Sequence, residues 1–317
     1  MKDTDIYNNI KKGINYVDID IYDINNVNEC KKTNIDLYKA QYINENENDN
    51  ISNSILYIIE NSVNHIIDKY CSNLKNVNTL TNQVNYLQDL KLPEQRSDEW
   101  YQIRNKLLTA SSLAAALNDD HFKSKYQLIL DKLEPNKNPY VSNPITEWGV
   151  KYEEIATKFY ELLNKVEILE FGLIPHPNFP IFGASPDGIC SNSSPCEYIG
   201  RMLEIKCPPK RKFTKSVPKH YWYQMQGQLE CCDLKECDFL QVKIIEYDTY
   251  EDYCNDIYIQ DKSKNGYNKH NLPKGCTITY KFNDNDIFRY LYPSLELSNE
   301  EYINWVKIET EKLTNKG

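Results

Sequence analysis

Two carboxylates and a lysine near the middle of the chain form a pattern that can carry chemistry. Asp187 follows Pro186, and Glu204 and Lys206 stand two residues apart within residues 201–207. On a β-strand, residues two apart point to the same face of the sheet. Carboxylate oxygens suit Mg²⁺, which lowers the pKa of a bound water and neutralises charge on a phosphate. A lysine beside them can orient that water or stabilise the transition state, so the pattern indicates phosphodiester hydrolysis.

The same residue types also occur on exposed, salt-bridged faces of sheets, so the elements around them matter. Asn143 followed by Pro144 predicts the start of a helix, and a second helix is predicted at about 219–233. Ile145 on the first helix and Trp222 on the second are expected to face inward. Strands are predicted at 166–175, 180–185, 201–207 and 239–247. This order of elements predicts an α/β fold with a mixed central sheet flanked by helices.

Five sequence blocks occur in an order and at spacings that resemble those of a known nuclease family. The blocks are Trp100-x-x-x-Arg104 with Thr109-Ala110-Ser111, Trp148-Gly149-x-x-x-Glu153, Ser185-Pro186-Asp187-Gly188, Leu203-Glu204-Ile205-Lys206-Cys207-Pro208 and Tyr223-Gln224-x-Gln226. They resemble the lambda-exonuclease and YqaJ-type viral recombinase family of the PD-(D/E)XK nuclease superfamily. The resemblance covers about residues 96–250, and it implies a PD-(D/E)XK, restriction-endonuclease-like core.

The resemblance implies a metal site with a catalytic lysine. Lys206 corresponds to that lysine, and Gln224 corresponds to a residue that contacts the nucleophilic water or the DNA. Glu154 has the same chemistry as Glu153, and only the spacing from the Trp-Gly pair selects Glu153. The implied cofactor is Mg²⁺, with Mn²⁺ as a substitute and two ions in each site. The implied metal ligands are Glu153, Asp187, Glu204 and the main-chain carbonyl of Ile205.

A phosphate-binding site is also implied by the resemblance. Arg104, Thr109, Ser111 and Ser185 correspond to positions that hold phosphates, and in the lambda enzyme this region receives the 5′-phosphate. A guanidinium suits a terminal phosphate, and a helix that begins at Thr109 would add backbone amide donors. Taken alone, Arg104 also suits a surface ion pair, and the hydroxyl residues also suit helix caps. The surrounding motif favours the phosphate site.

A basic segment that follows the predicted active-site strand supports DNA binding independently of the family. No acid occurs from Ile205 to Leu229, although the chain has a formal net charge of -9. Such a segment can follow a phosphate backbone, whereas the alternative is a solvated loop. The expected DNA contacts are Lys210, Arg211 and Lys212.

The 317 residues divide by composition into three predicted parts. Residues 1–92 are rich in Asn and Ile and predict a helical accessory segment with a polar linker at 44–53. Residues 93–260 hold the motifs and form the predicted nuclease core, and residues 261–317 are a predicted C-terminal extension that packs on it. The sequence has no apolar run of membrane-spanning length and no secretory signal pattern. An intracellular, cytoplasmic protein that is not secreted is therefore expected, in the host-cell cytoplasm if the source is viral.

These features predict a Mg²⁺-dependent deoxyribonuclease, a 5′-to-3′ exonuclease that acts on double-stranded DNA ends in viral recombination or repair. The alternatives are a restriction-type endonuclease on the same fold and a non-catalytic DNA-binding scaffold. Resistance of a closed circular substrate separates an exonuclease from an endonuclease. The intact set of Asp187, Glu204 and Lys206 argues against a scaffold. The expected partners are DNA ends, a single-strand annealing protein and further copies of this chain, with no membrane.

Overall fold

The structure is a computed structural model that describes residues 3–16, 19–45, 53–135, 143–260, 266–283 and 287–315. The helices are α1 (Asp3–Gly13), α2 (Ile24–Glu45), α3 (Asn53–Asp89), α4 (Asp98–Lys106), α5 (Leu113–Ala116), α6 (Lys125–Leu133), α7 (Pro144–Asn164), α8 (Lys219–Cys232), α9 (Tyr250–Asn255) and α10 (Asn299–Thr314). The strands are β1 (Leu108–Thr109), β2 (Ile168–Leu169), β3 (Ile174–Pro175), β4 (Phe182–Ala184), β5 (Gly188–Cys190), β6 (Met202–Lys206), β7 (Cys237–Gln241), β8 (Ile278–Tyr280) and β9 (Arg289–Leu291). The chain forms two compact units, residues 1–82 and 83–317.

The first unit is built from α1, α2 and most of α3. The predicted linker at 44–53 falls mainly on residues 46–52, which lie outside the described residues. The apolar stripe of α3 forms the core of this unit together with apolar residues of α1. Its buried members on α3 include Ile59, Val63, Ile66 and Ile67. The helical character predicted for this part of the chain is confirmed, because isoleucines spaced three and four apart bury one face.

The second unit contains a four-stranded mixed sheet in the order β2–β5–β6–β7. β5 pairs antiparallel with β2 and β6, whereas β6 and β7 are parallel, with Glu204 opposite Phe239. Parallel neighbours need a crossover connection, and α8 lies in that connection. A second sheet has the order β1–β4–β3. The predicted α/β fold with a mixed central sheet is confirmed by this arrangement.

The strands differ from the prediction at two places around the active-site strand. The single strand predicted at 166–175 consists of β2 and β3, which lie in different sheets. Between β2 and β3, the backbone at Gly172 closely approaches the backbone at Pro93. A Cβ atom added at Gly172 would lie 2.1 Å from the carbonyl oxygen of Pro93. β5 has no counterpart among the predicted strands, because all three of its residues are buried. Such a strand shows no alternation of apolar and polar residues.

Both predicted helices that flank the sheet are present. The prediction that the apolar residues of their first turns face inward is wrong. α7 begins with a capping box at Asn143, as the Asn-Pro pair predicts. Ile145, expected to face inward, is 67% exposed, and Tyr152 is buried further along the helix. On α8, Trp222 is 47% exposed, whereas Met225 is buried. In both helices the exposed residue stands ahead of the positions that pack on the sheet.

The C-terminal part contains the antiparallel pair β8–β9 and α10. The hydroxyl of Tyr292 donates a hydrogen bond of 2.7 Å to the carbonyl oxygen of Lys151 on α7. At this contact the C-terminal extension packs on the core. The boundaries of the three predicted parts remain predictions. Within the described ranges, no helix is both long and apolar enough to cross a membrane.

Candidate active site

Asp187 and Glu204 lie beside each other because they stand on neighbouring strands. Asp187 directly precedes β5, and its successor Gly188 pairs with Leu203 of β6. Oδ2 of Asp187 accepts a hydrogen bond of 2.6 Å from the backbone N–H of Ile205. Glu204 has no exposed surface. The structure thus brings together the two carboxylates that the sequence pattern singled out.

Lys206 contacts Glu204 on the same face of β6. Its Nζ donates a hydrogen bond to Oε1 of Glu204. Burial by itself lowers the pKa of a lysine, but the carboxylates of Glu204 and Asp187 outweigh burial and raise the pKa of Lys206 above its ordinary value. The lysine is therefore a cation at neutral pH. It can donate to a water or a phosphate oxygen but cannot accept a proton there.

Gln228 holds the other oxygen of Glu204, a contact that the sequence motifs did not predict. Its Nε2 donates a hydrogen bond of 2.7 Å to Oε2 of Glu204, and the side chain is 1% exposed. Gln224, which the family pattern selects, stands one turn earlier on α8 and is half-buried. Among the described residues, Gln228 and not Gln224 bonds to Glu204. The signal in the sequence was the four-residue spacing, which places both glutamines on one face of the helix.

Glu153 supplies a third carboxylate from α7. Nη2 of Arg96 lies 3.3 and 3.2 Å from its two carboxylate oxygens. Glu154 instead pairs with Lys158 at 3.0 Å. The two adjacent glutamates therefore have different surroundings, and Glu153 is the one whose charge interacts with Glu204. Arg96 lies ahead of the motifs and was missed. Its φ of 67° is uncommon for a residue with a side chain.

The electrostatics of the three carboxylates fit a bound cation. Burial and the neighbouring charge of Glu204 raise the pKa of Asp187 well above its ordinary range. Burial also raises the pKa of Glu153, although Arg96 opposes this effect. A hard divalent cation among these oxygens would relieve the repulsion. In the part of the chain that the structure describes, no three acidic, His or Cys side chains are already placed to enclose a metal ion. The donor chemistry of these carboxylates nevertheless fits a hard divalent cation.

A cluster of hydroxyl groups surrounds Arg104. Its Nη2 donates a hydrogen bond of 2.8 Å to Oγ of Ser111. Oγ1 of Thr109 lies 3.2 Å from Oγ of Ser111 and 3.1 Å from Oγ of Ser112. Thr109 precedes a 3-10 helix at Ala110–Ser112 and makes no side-chain capping bond. The predicted cap therefore contributes its hydroxyl to the cluster instead.

Trp100 connects this cluster to the carboxylates. The guanidinium carbon of Arg104 lies 4.7 Å from the centroid of the Trp100 ring. Nε1 of Trp100 donates a hydrogen bond of 3.2 Å to Oγ of Ser185, two residues before Asp187. Trp100 thus joins Arg104 and its hydroxyl cluster to Ser185 in one connected group next to the candidate metal site.

Lys132 on α6 adds a second cation to the Arg104 cluster and was not predicted. Its Nζ donates a hydrogen bond of 2.7 Å to the carbonyl oxygen of Arg104. Burial, followed by the charge of Arg104, lowers the pKa of Lys132 to about 8. The adjacent Asp131 pairs with Lys123 at 2.7 Å. Two neighbouring cations that are partly removed from water suit an anion.

The basic segment is partly fixed beside the active site. The guanidinium carbon of Arg211 lies 5.3 Å from the centroid of the Tyr221 ring, and Nζ of Lys206 lies 5.1 Å from the same centroid. Lys210 and Lys212 are exposed. Arg211 is therefore positioned near the catalytic lysine, and the other two lysines face solvent, where a phosphate backbone can reach them.

Neighbouring strands that present Asp187 with Glu204 and Lys206 define a domain of the PD-(D/E)XK class. Residues 99–235 match the family described as the YqaJ-like viral recombinase domain. This match confirms the resemblance that the five sequence blocks indicate.

The chain is similar to two curated viral proteins and to a solved exonuclease structure. An uncharacterized protein of Acanthamoeba polyphaga mimivirus is 36% identical over 69% of this chain and 44% of its own length. A protein of African swine fever virus is 28% identical over 43% of this chain and 46% of its own length. The chain thus spans less than half the length of either relative. An alkaline exonuclease from Laribacter hongkongensis matches with a TM-score of 0.38 and 27% identity, over 48% of this chain and 77% of the exonuclease chain.

Proposed function

We propose that the protein is a metal-dependent DNA nuclease that digests duplex DNA from its ends in the 5′-to-3′ direction. The observation that carries the proposal is the buried set of Asp187, Glu204 and Lys206, with Gln228 on the remaining oxygen of Glu204. A buried carboxylate that is fully hydrogen-bonded and faces a second carboxylate is costly to maintain. Hydrolysis of a phosphodiester explains why it is kept.

Glu153, Asp187, Glu204 and the carbonyl of Ile205 would hold Mg²⁺ or Mn²⁺, with two ions in each site. The metal would supply a water of lowered pKa and positive charge beside the phosphate. Lys206 remains protonated, so it donates to a phosphate oxygen or orients the water. Gln228 fixes the rotamer of Glu204, and Arg96 holds Glu153 beside the site.

The Arg104 cluster supports action at DNA ends. A terminal phosphate carries up to two negative charges, and Arg104 and Lys132 together offer two positive charges. Ser111 and Ser185 add hydroxyl groups that can donate to phosphate oxygens. A 5′-phosphate bound at Arg104 would be linked through Trp100 to Ser185, which stands two residues before Asp187. This proximity favours cleavage close to a 5′ end. Lys210, Arg211 and Lys212 would contact the duplex backbone.

The role in viral recombination or repair, a single-strand annealing partner and assembly with further copies of this chain belong to the same proposal. They are supported by the match of residues 99–235 to the YqaJ-like viral recombinase domain.

Digestion of a linear duplex labelled at one 5′ end tests the proposal. We expect release of label with Mg²⁺ or Mn²⁺, binding without turnover with Ca²⁺, and no release in excess EDTA. A closed circle of the same sequence should stay intact. Cleavage of the circle at the rate of the linear duplex would instead identify a restriction-type endonuclease. DNA binding without cleavage under any metal would identify a scaffold.

A further inference from the structure

The β8–β9 hairpin lies outside the matched family region of residues 99–235. Its strands pair antiparallel, with Thr279 opposite Tyr290. The hydrogen bond of 2.7 Å from Tyr292 to Lys151 attaches it to α7, two residues before Glu153. The hairpin is therefore fixed to the helix that supplies a candidate metal ligand.

A cavity of about 860 Å³ separates this hairpin from the carboxylates. Glu153 and Asp187 line it together with Phe288, Arg289 and Tyr290 of the hairpin. Pockets of roughly 300–1,000 Å³ hold small ligands, so this cavity has room for a few nucleotides but not for a duplex. Asp187 itself lines the cavity, so a strand that enters this space can bring a phosphate to that carboxylate.

The hairpin side of the cavity presents apolar surface to solvent. Ile287 is 77% exposed and Phe288 is 49% exposed. Nζ of Lys281 lies 5.7 Å from the centroid of the Phe288 ring. Arg289, the next residue along the chain, is also exposed and lines the cavity. Aromatic rings next to cations are the surfaces on which unpaired bases stack.

We propose that Phe288 and Arg289 form a wall that binds the unpaired nucleotides of the strand being cleaved, with a base stacked on Phe288. The proposal rests on the proposed nuclease function. When a phosphate of this strand lies at the carboxylates, its base points towards the hairpin. The exposed ring of Phe288 then stacks on that base in place of the neighbouring base that it lost on leaving the duplex. Arg289 faces the backbone of the same strand. Bases inside the duplex have no access, since both of their faces are covered by stacking on neighbouring pairs.

The test compares two short single strands of equal length and phosphate number, one with bases and one abasic. Their dissociation constants are measured by fluorescence anisotropy with Ca²⁺ in place of Mg²⁺, and gels check that the strands remain intact. The wild-type protein should prefer the strand with bases by about tenfold. Phe288→Ala should lose that preference, and Phe288→Trp should keep it.

Phe282 provides a matched control on the same hairpin. It is 46% exposed and packs edge-on against Tyr280, away from the residues that line the cavity. Phe282→Ala should keep the preference of the wild type. An equal loss of the preference in Phe282→Ala and Phe288→Ala overturns the proposal. An unchanged preference in Phe288→Ala also overturns it, and this is the result expected if a peptide segment occupies the cavity instead of nucleotides.

Failure of this inference and failure of the proposed function are distinguishable. Cleavage of linear duplex together with an unchanged preference in Phe288→Ala overturns the stacking wall alone. Absence of cleavage under every metal, together with loss of the preference in Phe288→Ala, overturns the nuclease activity and leaves the hairpin as a binding site for unpaired nucleotides. Thermal unfolding of each variant shows whether it folds, and Phe288→Trp keeps the test valid if Phe288→Ala does not.

Discussion

The amide of Gln228 donates a 2.7 Å hydrogen bond to Oε2 of Glu204, and Lys206 occupies Oε1 of the same carboxylate. Both oxygens of a completely buried acid therefore have donors that come from different elements, α8 and β6. Buried charges need such partners, because an unpaired one costs several kcal/mol, as an order-of-magnitude value. Gln228 is therefore a positioning residue that fixes where Glu204 can offer an oxygen to a metal ion.

Replacement of Gln228 by leucine should slow cleavage by roughly ten- to hundredfold, because a hydrogen bond to a charged group contributes roughly 1.5–3 kcal/mol. The Mg²⁺ concentration for half-maximal rate should also rise, since Glu204 is then free to rotate. Gln226→Leu on the exposed face of the same helix is the control and should leave both quantities near the wild-type values. A slower rate with an unchanged Mg²⁺ dependence would show that Gln228 does not act through Glu204.

Glu153 and Glu154 form a natural matched pair for testing the third carboxylate. Glu153→Gln should reduce the cleavage rate by more than roughly hundredfold, since even residues outside the metal's direct ligands cost about 10–100-fold when they are removed. Glu154→Gln should leave the rate close to that of the wild type, because Glu154 pairs with Lys158 one turn along α7 in a partly exposed ion pair of small energetic value. The measurement is release of end label from linear duplex at saturating Mg²⁺. An equal loss of cleavage rate in the two variants would contradict the choice of Glu153 over Glu154 as the third carboxylate of the site.

Asp187→Asn should abolish cleavage and yet stabilise the protein without metal. Burial and the charge of Glu204 oppose ionisation of Asp187, so removing its charge relieves repulsion, while the amide oxygen still accepts from the backbone of Ile205. We expect a rise in Tm of roughly 2–4 °C in EDTA, which corresponds to about 1 kcal/mol in a unit of this size. Mg²⁺ should raise the Tm of the wild type but not that of the variant. Asp248→Asn, an exposed change away from the candidate site, is the control.

A lower Tm of Asp187→Asn in EDTA would contradict the account of charge repulsion at the site. A variant that cleaves at the wild-type rate would remove Asp187 from the catalytic set.

Local signals in the sequence predicted the helices that flank the sheet and the strand that carries Glu204. Ser97 and Asn143 begin their helices with the capping bonds that these residue types favour. Contacts between distant segments were not visible in the same way. Arg96 meets Glu153 across 57 positions, and no local pattern encodes such a pairing. The same holds for Lys132, which approaches Arg104 only after α4 and α6 have packed.

Arg104→Ala should remove most of the preference for 5′-phosphate over 5′-hydroxyl ends. The loss of a charge-assisted hydrogen bond, roughly 1.5–3 kcal/mol, corresponds to one to two orders of magnitude in rate on phosphorylated ends. Lys106→Ala tests general charge, because Lys106 is exposed on the same helix. Rates on matched linear duplexes with either end decide the outcome. If the wild type shows no preference, Arg104 does not bind the terminal phosphate and the 5′-to-3′ direction loses its support.

Lys132 should make that preference depend on pH. Burial and the charge of Arg104 lower its pKa from 10.5 to about 8, while Lys123 also lowers it and Asp131 raises it. The amine is therefore charged below pH 8 and progressively neutral above it. A 5′-phosphate is already a dianion above pH 7, since its second pKa is near 6. A fall in phosphate preference above pH 8 must then come from the protein.

We expect the ratio of rates on 5′-phosphate and 5′-hydroxyl duplexes to decrease as pH rises from 7 to 9 in the wild type. Lys132→Met should show a smaller ratio that no longer changes over this range, and Lys132→Arg should keep a high ratio up to pH 9 because arginine stays charged. Because folding lowers the pKa of Lys132, protonation of this amine at lower pH destabilises the folded state. The contribution of Lys132 to stability, measured as the difference between the wild type and Lys132→Met, should therefore become more favourable between pH 8 and 10.5, where the unfolded chain binds the extra proton. A wild-type ratio that is constant across this range, or a Lys132→Met ratio that falls in parallel with it, would show that Lys132 takes no part in phosphate binding.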